Sequence, residues 1–151
     1  MQLKTSKGRI NNTKVWFKVQ IIWVALIVFV YLRSMYRMNH LAHTEHNMQA
    51  CVEACSHCHQ VCLQTTMNHC LNKGGKHVEA DHFRLMMSCA EICQTSANFQ
   101  LINSPFHRRV CEVCAEVCEA CAQSCEKLDG MEECVKACRE CAESCRQMAN
   151  A

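Results

Sequence analysis

The sequence predicts an all-α protein: an antiparallel four-helix bundle with a cysteine-lined core, preceded by an N-terminal transmembrane helix. Three observations carry that expectation. One Pro and four Gly among 151 residues are too few turn formers for a many-stranded β domain, and they exclude collagen-like or Gly/Pro-rich disorder. Most of the sixteen Cys recur three or four residues apart, the spacing of one helix face. Residues 15–32 read VWFKVQIIWVALIVFVYL, apolar but for Lys18 and Gln20. The apolar share of 50% includes those cysteines, so a core of ordinary size built from Leu and Ile is not expected, and something else must fill the interior.

Residues 1–14 form a basic arm with Lys4, Lys7, Arg9 and Lys14. The run 15–32, at about 1.5 Å per residue, spans roughly 27 Å, close to the hydrocarbon core of a bilayer, and reads as a membrane anchor. A cleaved signal peptide competes with that reading, but Arg33, Ser34, Met35, Tyr36 and Arg37 stand where a small-x-small cleavage site would be. A buried helix is opposed by apolar residues on every face. With Lys18, Arg33 and Arg37, the first 37 residues carry seven basic and no acidic side chains, whereas the remainder has nine basic and fourteen acidic. The positive-inside bias keeps the amino terminus cytoplasmic and the chain beyond about residue 38 outside, where disulfides are permitted. Export after signal cleavage and a cytoplasmic location are the alternatives. A mildly acidic domain lacks the clustered Lys and Arg that phosphate binding needs, which excludes nucleic acid as a partner. Residues 33–41 are expected as a linker and 42–150 as the bundle, with His40, His43 and His46 placed to collect metal at the membrane surface.

Three punctuation points divide the bundle: Lys73-Gly74-Gly75-Lys76, Asn103-Ser104-Pro105 and Leu128-Asp129-Gly130. The four segments between them are long enough for helices and too long for typical strands. Ser104 before Pro105 predicts an N-cap followed by Pro at the first helical position. Short links favour antiparallel neighbours. Glu132 with Lys136, Lys136 with Glu140 and Arg139 with Glu143 are spaced as i, i+4 pairs on the wet face of the last segment.

Cys51, Cys55, Cys58 and Cys62 form one stripe; Cys111, Cys114, Cys118, Cys121 and Cys125 a second; Cys134, Cys138, Cys141 and Cys145 a third. At about 100° per residue the first set occupies an arc of only about 60°. A stripe repeating every 3.5 residues faces the axis of a bundle, so sulfur takes the place of Leu and Ile. On the second helix His82, Met86, Cys89 and Cys93 keep the same spacing, with a histidine and a thioether at two thiol positions. Cys70 sits about 90° from the centre of the first stripe, where His69 stands instead. His57 and His77 fall off the stripes, as solvated residues, and His59 on an edge.

Several chemistries compete for such an interior. Cysteines stacked along one helix cannot meet disulfide geometry within it, and a framework of cross-helix bridges would more naturally scatter its cysteines through loops. Zinc prefers four tetrahedral ligands, usually on turns. The run lacks the cysteine order of bacterial ferredoxins. Cu(I) is soft, selects thiolate and thioether, and is satisfied by two sulfurs one turn apart. Seven CxxxC pairs use fourteen of the cysteines, leaving Cys70 and Cys111. Metal ions would also add folding free energy to a domain with a thin apolar reserve. Metal admission is expected at a bundle end: Met48, His107 and Met148 meet at one, and His69, His82 and Met131 at the other.

The runs CEVCAEVCEACAQSCEKL (111–128) and MEECVKACRECAESCRQMA (131–149) resemble the carboxy-terminal half of the cysteine-rich four-helix-bundle copper storage proteins, formerly a family of unknown function. CVEACSHCHQVC (51–62) and SCAEIC (88–93) resemble the amino-terminal half. The resemblance covers roughly residues 40–150. It implies a bundle that binds many Cu(I) ions through core thiols, largely as CxxxC pairs, often as an oligomer, in either the cytosol or exported compartments. This chain departs from the richest members in carrying only Cys89 and Cys93 on the second helix. The expected function is a non-enzymatic, membrane-tethered Cu(I) store exchanging metal with donor or acceptor proteins. A disulfide-stapled structural domain outside the cell is the alternative. A thiol oxidoreductase is disfavoured because its CxxC would sit at an exposed helix start.

Overall fold

The computed structural model describes residues 12–151, with side chains from Gln20 onward except at positions 21 and 39–46. Almost all of the basic arm, and the side chains of His40, His43 and His46, lie outside this set. Among the described residues there are four long helices and no strand: α1 (Asn12–Gln64), α2 (Ala80–Leu101), α3 (His107–Cys125) and α4 (Glu132–Asn150). The chain divides into two compact units, Met1–Ala42 and His43–Ala151.

In the first unit, the backbone of residues 33–41, expected as a linker, is helical. Trp23, Ile27, Phe29, Val30, Tyr31 and Tyr36 are all exposed. Among the described residues no helix is long and apolar enough to cross a membrane. The transmembrane helix expected over 15–32 is thus not supported by the described residues. Residues 15–19 and 21 of it fall outside the described side chains.

The second unit buries an unusual core. Sixteen of its twenty-seven buried apolar residues are Cys, and the rest are Ala, Met and two Val, with no Leu, Ile or aromatic ring among them. Alanines flank the sulfurs in the buried pairs Cys89-Ala90, Cys114-Ala115, Cys121-Ala122 and Cys141-Ala142. These small neighbours let the helices close on a narrow axis that sulfur can fill. Topology follows from the sulfur contacts. Cys51 meets Cys145 (3.7 Å), Cys58 meets Cys138 (3.7 Å) and Cys62 meets Cys134 (3.6 Å), so α1 and α4 run antiparallel. Cys89 meets Cys138 (3.8 Å) and Cys93 meets Cys141 (3.7 Å), so the diagonal helices α2 and α4 run parallel. That is an up-down-up-down bundle. Lys136 pairs with Glu140 at 3.9 Å as expected, but Arg139 turns from Glu143 to reach Glu126 (2.6 Å) and Glu119 (3.6 Å), tying α3 to α4.

The connections depart from expectation in three places. Thr65–Cys70 is a π turn. Its wider winding lags the α-helix by roughly 20° per residue, about 100° in all, which rotates Cys70 onto the stripe and His69 off it. Cys70 is accordingly fully buried. The Thr66 hydroxyl donates to the Cys62 carbonyl at 2.6 Å, the kind of side-chain bond that competes with the helical ladder. Next, His77 is buried, not solvated: the 3-10 turn Gly75–Val78 carries its Nε2 to 3.0 Å from the Asp129 carbonyl. Finally, α3 begins at His107, two residues later than the Ser104 cap implies. Ser104 instead organises the turn before it, its Oγ accepting from the Phe106 amide at 3.3 Å and its carbonyl from the His107 amide at 3.1 Å.

Gly130 closes the α3–α4 link at φ +76°, and a Cβ there would lie 3.0 Å from His69 Cε1. Gly130→Ala is therefore expected to destabilise the metal-free protein by about 1–2 kcal/mol, read from the midpoint of denaturant unfolding.

Candidate metal centre

The π turn and the four stripes together bury all sixteen cysteines, and all are free thiols. Among the described thiols the shortest cross-helix approaches are Cys93 to Cys118 at 3.3 Å, and Cys55 to Cys145 and Cys62 to Cys138 at 3.4 Å. These are contacts of packed thiols, well beyond a disulfide bond length. Most of these sulfurs have two or more such neighbours. Cys62, for example, lies within 4 Å of Cys58, Cys89, Cys134 and Cys138.

Three foursomes that share no sulfur stack along the axis: Cys55, Cys114, Cys141 and Cys145; Cys58, Cys89, Cys93 and Cys118; Cys62, Cys121, Cys134 and Cys138. Within each, all ligand atoms lie within 4.8 Å of one another, and further foursomes overlap them. The arrangement is a continuous sulfur channel offering soft ligands at every level, with pairs and foursomes to choose from. Methionine extends it: Met86 Sδ accepts from Cys125 (3.3 Å), Cys121 (3.4 Å) and Cys134 (3.8 Å).

A profile of the copper storage protein family matches residues 44–150. The chain belongs to the copper storage protein family. A solved protein of Nitrosospira multiformis is 67% identical, covering 70% of this chain and 97% of its own at a TM-score of 0.70. A copper storage protein solved with Cu(I) bound is 38% identical, covering 68% and 98%, at a TM-score of 0.63. The copper-free form of copper storage protein 3 from Bacillus subtilis is 39% identical, covering 67% and 97%, at a TM-score of 0.56. An uncharacterised cysteine-rich protein of Bacillus subtilis (strain 168) is 38% identical over 72 residues, which span 48% of this chain and 66% of that relative.

In this family member the second helix contributes more than its two thiols. Two residues not singled out in the sequence continue its stripe, Ser96 and Gln100, at the +3 and +4 spacing that could have revealed them. Ser96 Oγ lies 3.5 Å from Cys111 Sγ, and Gln100 is buried with Nε2 4.0 Å from Cys55 Sγ. At that end Met148 is buried and Met48 packs against the core, while His107 Nδ1 is engaged by the Ser104 carbonyl at 2.7 Å. At the other end stand Met131 and His82, both buried, with His69 and His77 in edge contact at 5.3 Å between ring centres.

Crowding sets the acidities. Hydrogen bonds with neighbouring thiols, followed by burial, push Cys93, Cys118, Cys138 and Cys145 upward, and hydrogen bonds of the same kind draw Cys58, Cys89, Cys114 and Cys134 down. Cys111 rises to about 11: the Cys145 hydrogen bond lowers it, but the bond with Cys51 and burial together outweigh that. Burial also pulls the His82 imidazole down, with His77 adding to the effect. A thiol held above its ordinary range must lose its proton when a metal binds. Cu(I) loading is therefore expected to release protons, and apparent affinity to fall about tenfold per displaced proton for each pH unit lowered below neutrality. Chelator competition with Cu(I) at several pH values checks both the sign and the slope.

Proposed function

We infer that this chain stores or sequesters copper, holding several Cu(I) ions on the thiolates of its bundle core. The observation that carries the reading is the continuous channel of sixteen buried free thiols. Cu(I) is soft and content with two sulfurs, so CxxxC pairs and cross-helix neighbours both suit it. The ligand set comprises the stripe cysteines and Cys70, with Met86 and His82 as neutral additions. A disulfide-stapled domain fits less well, because it needs one partner per sulfur and most of these sulfurs have more than one. The role is binding and not catalysis: a filled sulfur axis leaves no open coordination position beside a substrate cavity. Donor or acceptor proteins would supply and collect the metal, and bundles would assemble as the family resemblance implies.

The first unit supports a further part of the reading, a membrane tether with the amino terminus cytoplasmic and the bundle outside. Its support is a helix with Trp23, Ile27, Val30 and Tyr31 exposed, an arrangement unfavourable in water, with basic residues on both sides. The full chain is expected to stay with membranes through an alkaline wash; recovery in the supernatant would remove the tether.

Cys118→Ser combined with Cys121→Ser is expected to lower the Cu(I) stoichiometry by one ion or more in an anaerobic titration, with helicity by circular dichroism retained. Full stoichiometry in that variant would rule out ligation by the core.

A further inference from the structure

The link between α2 and α3 has its polarity reversed. Among the described residues of the second unit, the three most exposed large apolar side chains all fall within or beside it: Ile102 at 72%, Leu101 at 63% and Phe106 at 61%. Ser104, between them in the chain, is buried instead. A link that faces only water gains nothing from that arrangement, and grouped exposed apolar side chains mark a surface for a partner.

The backbone holds these side chains outward. The amides of Ile102, Asn103 and Ser104 donate to the carbonyls of Asn98 (3.1 Å), Gln100 (3.0 Å) and Phe99 (2.9 Å), and the Phe106 amide donates to Ser104 Oγ at 3.3 Å. Asn103 turns the chain at φ +49°, a left-handed conformation that asparagine tolerates better than most residues. Arg108 and Arg109 follow at once, both exposed. Arg108 donates Nε to the Ala149 carbonyl at 3.2 Å. Neither arginine forms an ion pair among the described residues, although Glu112 is a turn away in sequence.

Fixed apolar side chains beside unpaired guanidinium groups match the two layers of an anionic lipid surface, the acyl-chain boundary and the phosphates above it. Guanidinium also suits phosphate better than ammonium does, because it can bind two oxygens at once. Chain order adds a second reason. Cys51 meets Cys145 at 3.7 Å and Arg108 reaches Ala149, so the start of the second unit, the α2–α3 link and the end of α4 share one end of the bundle. Only residues 33–42 separate that unit from the apolar run ending at Leu32.

We propose that the α2–α3 link is a docking surface for an anionic lipid bilayer. Leu101, Ile102 and Phe106 enter the interface, and Arg108 and Arg109 bind headgroup phosphates. Docking fixes which end of the bundle meets the bilayer, which a single tether cannot do. The surface belongs to the second unit and does not require the tether to exist.

The test puts a reporter in the link of the full chain. Trp16→Phe and Trp23→Phe remove the two native indoles, and Phe106→Trp supplies one in the link. The chain is reconstituted with vesicles of phosphatidylcholine, alone or mixed with phosphatidylglycerol. With the anionic lipid the emission should shift to the blue, brominated acyl chains should quench it, and aqueous acrylamide should lose access. Arg108→Gln with Arg109→Gln should cut the docked-to-undocked ratio, read from that quenching, by about fivefold per arginine, and raised salt should act in the same direction. Leu101→Ser with Ile102→Ser should return the indole to water, with circular dichroism checking that each variant stays helical. An indole open to acrylamide and untouched by brominated lipid in both vesicle types would overturn the docking surface. So would shielding that follows protein concentration and ignores lipid charge, since the link would then face a second copy. Quenching that survives all four replacements would trace to the introduced indole and overturn it equally. A link that docks on a chain released by the alkaline wash keeps this surface and removes only the tether.

Discussion

Sulfur against sulfur, at 3.3–3.8 Å across the axis, is the contact from which the rest of this bundle follows. A Leu-filled bundle gains its stability from large apolar side chains. Here the axis-facing positions go to thiols, and the buried apolar complement is otherwise Ala, Met and two Val. Close approach therefore depends on the alanines beside the cysteines, and alignment depends on surface bridges such as Arg139 to Glu126 and Arg146 to Glu119. Being exposed, those bridges set register more than they add stability. The metal-free protein thus keeps a small-residue interior, while bound ions would cross-link four helices that otherwise hold one another lightly.

Much of this was legible in the residues. The +3/+4 cysteine spacing is sufficient to define which face of each helix points inward, because no other pattern of residues competes with it. The Gly and Pro punctuation marks the links. The second helix was readable as a stripe despite its substitutions, since His82 and Met86 stand where spacing demands an axis-facing side chain, and both are buried.

What escaped the pattern did so for local reasons. A fixed rotation of about 100° per residue cannot anticipate a π turn, so Cys70 and His69 exchanged roles; the only hint was a pair of threonines, one of which takes the Cys62 carbonyl. His77 looked solvated because it belongs to no periodic face, yet a short 3-10 turn carries it to the Asp129 carbonyl. Gln100 and Ser96 were missed because an amide and a hydroxyl do not advertise themselves as core residues. Arg139 had two acidic partners on α3 that no intrahelical rule considers.

The shared foursomes have a consequence for which metals the channel suits. Sixteen sulfurs make at most four separate tetrahedral sites but eight linear pairs. A divalent ion that insists on four thiolates would fill few positions and leave two net negative charges buried at each. A monovalent ion content with two sulfurs fills twice as many positions and leaves one. Zinc and its chemical relatives are thus disadvantaged by arithmetic, without any pocket shaped to exclude them.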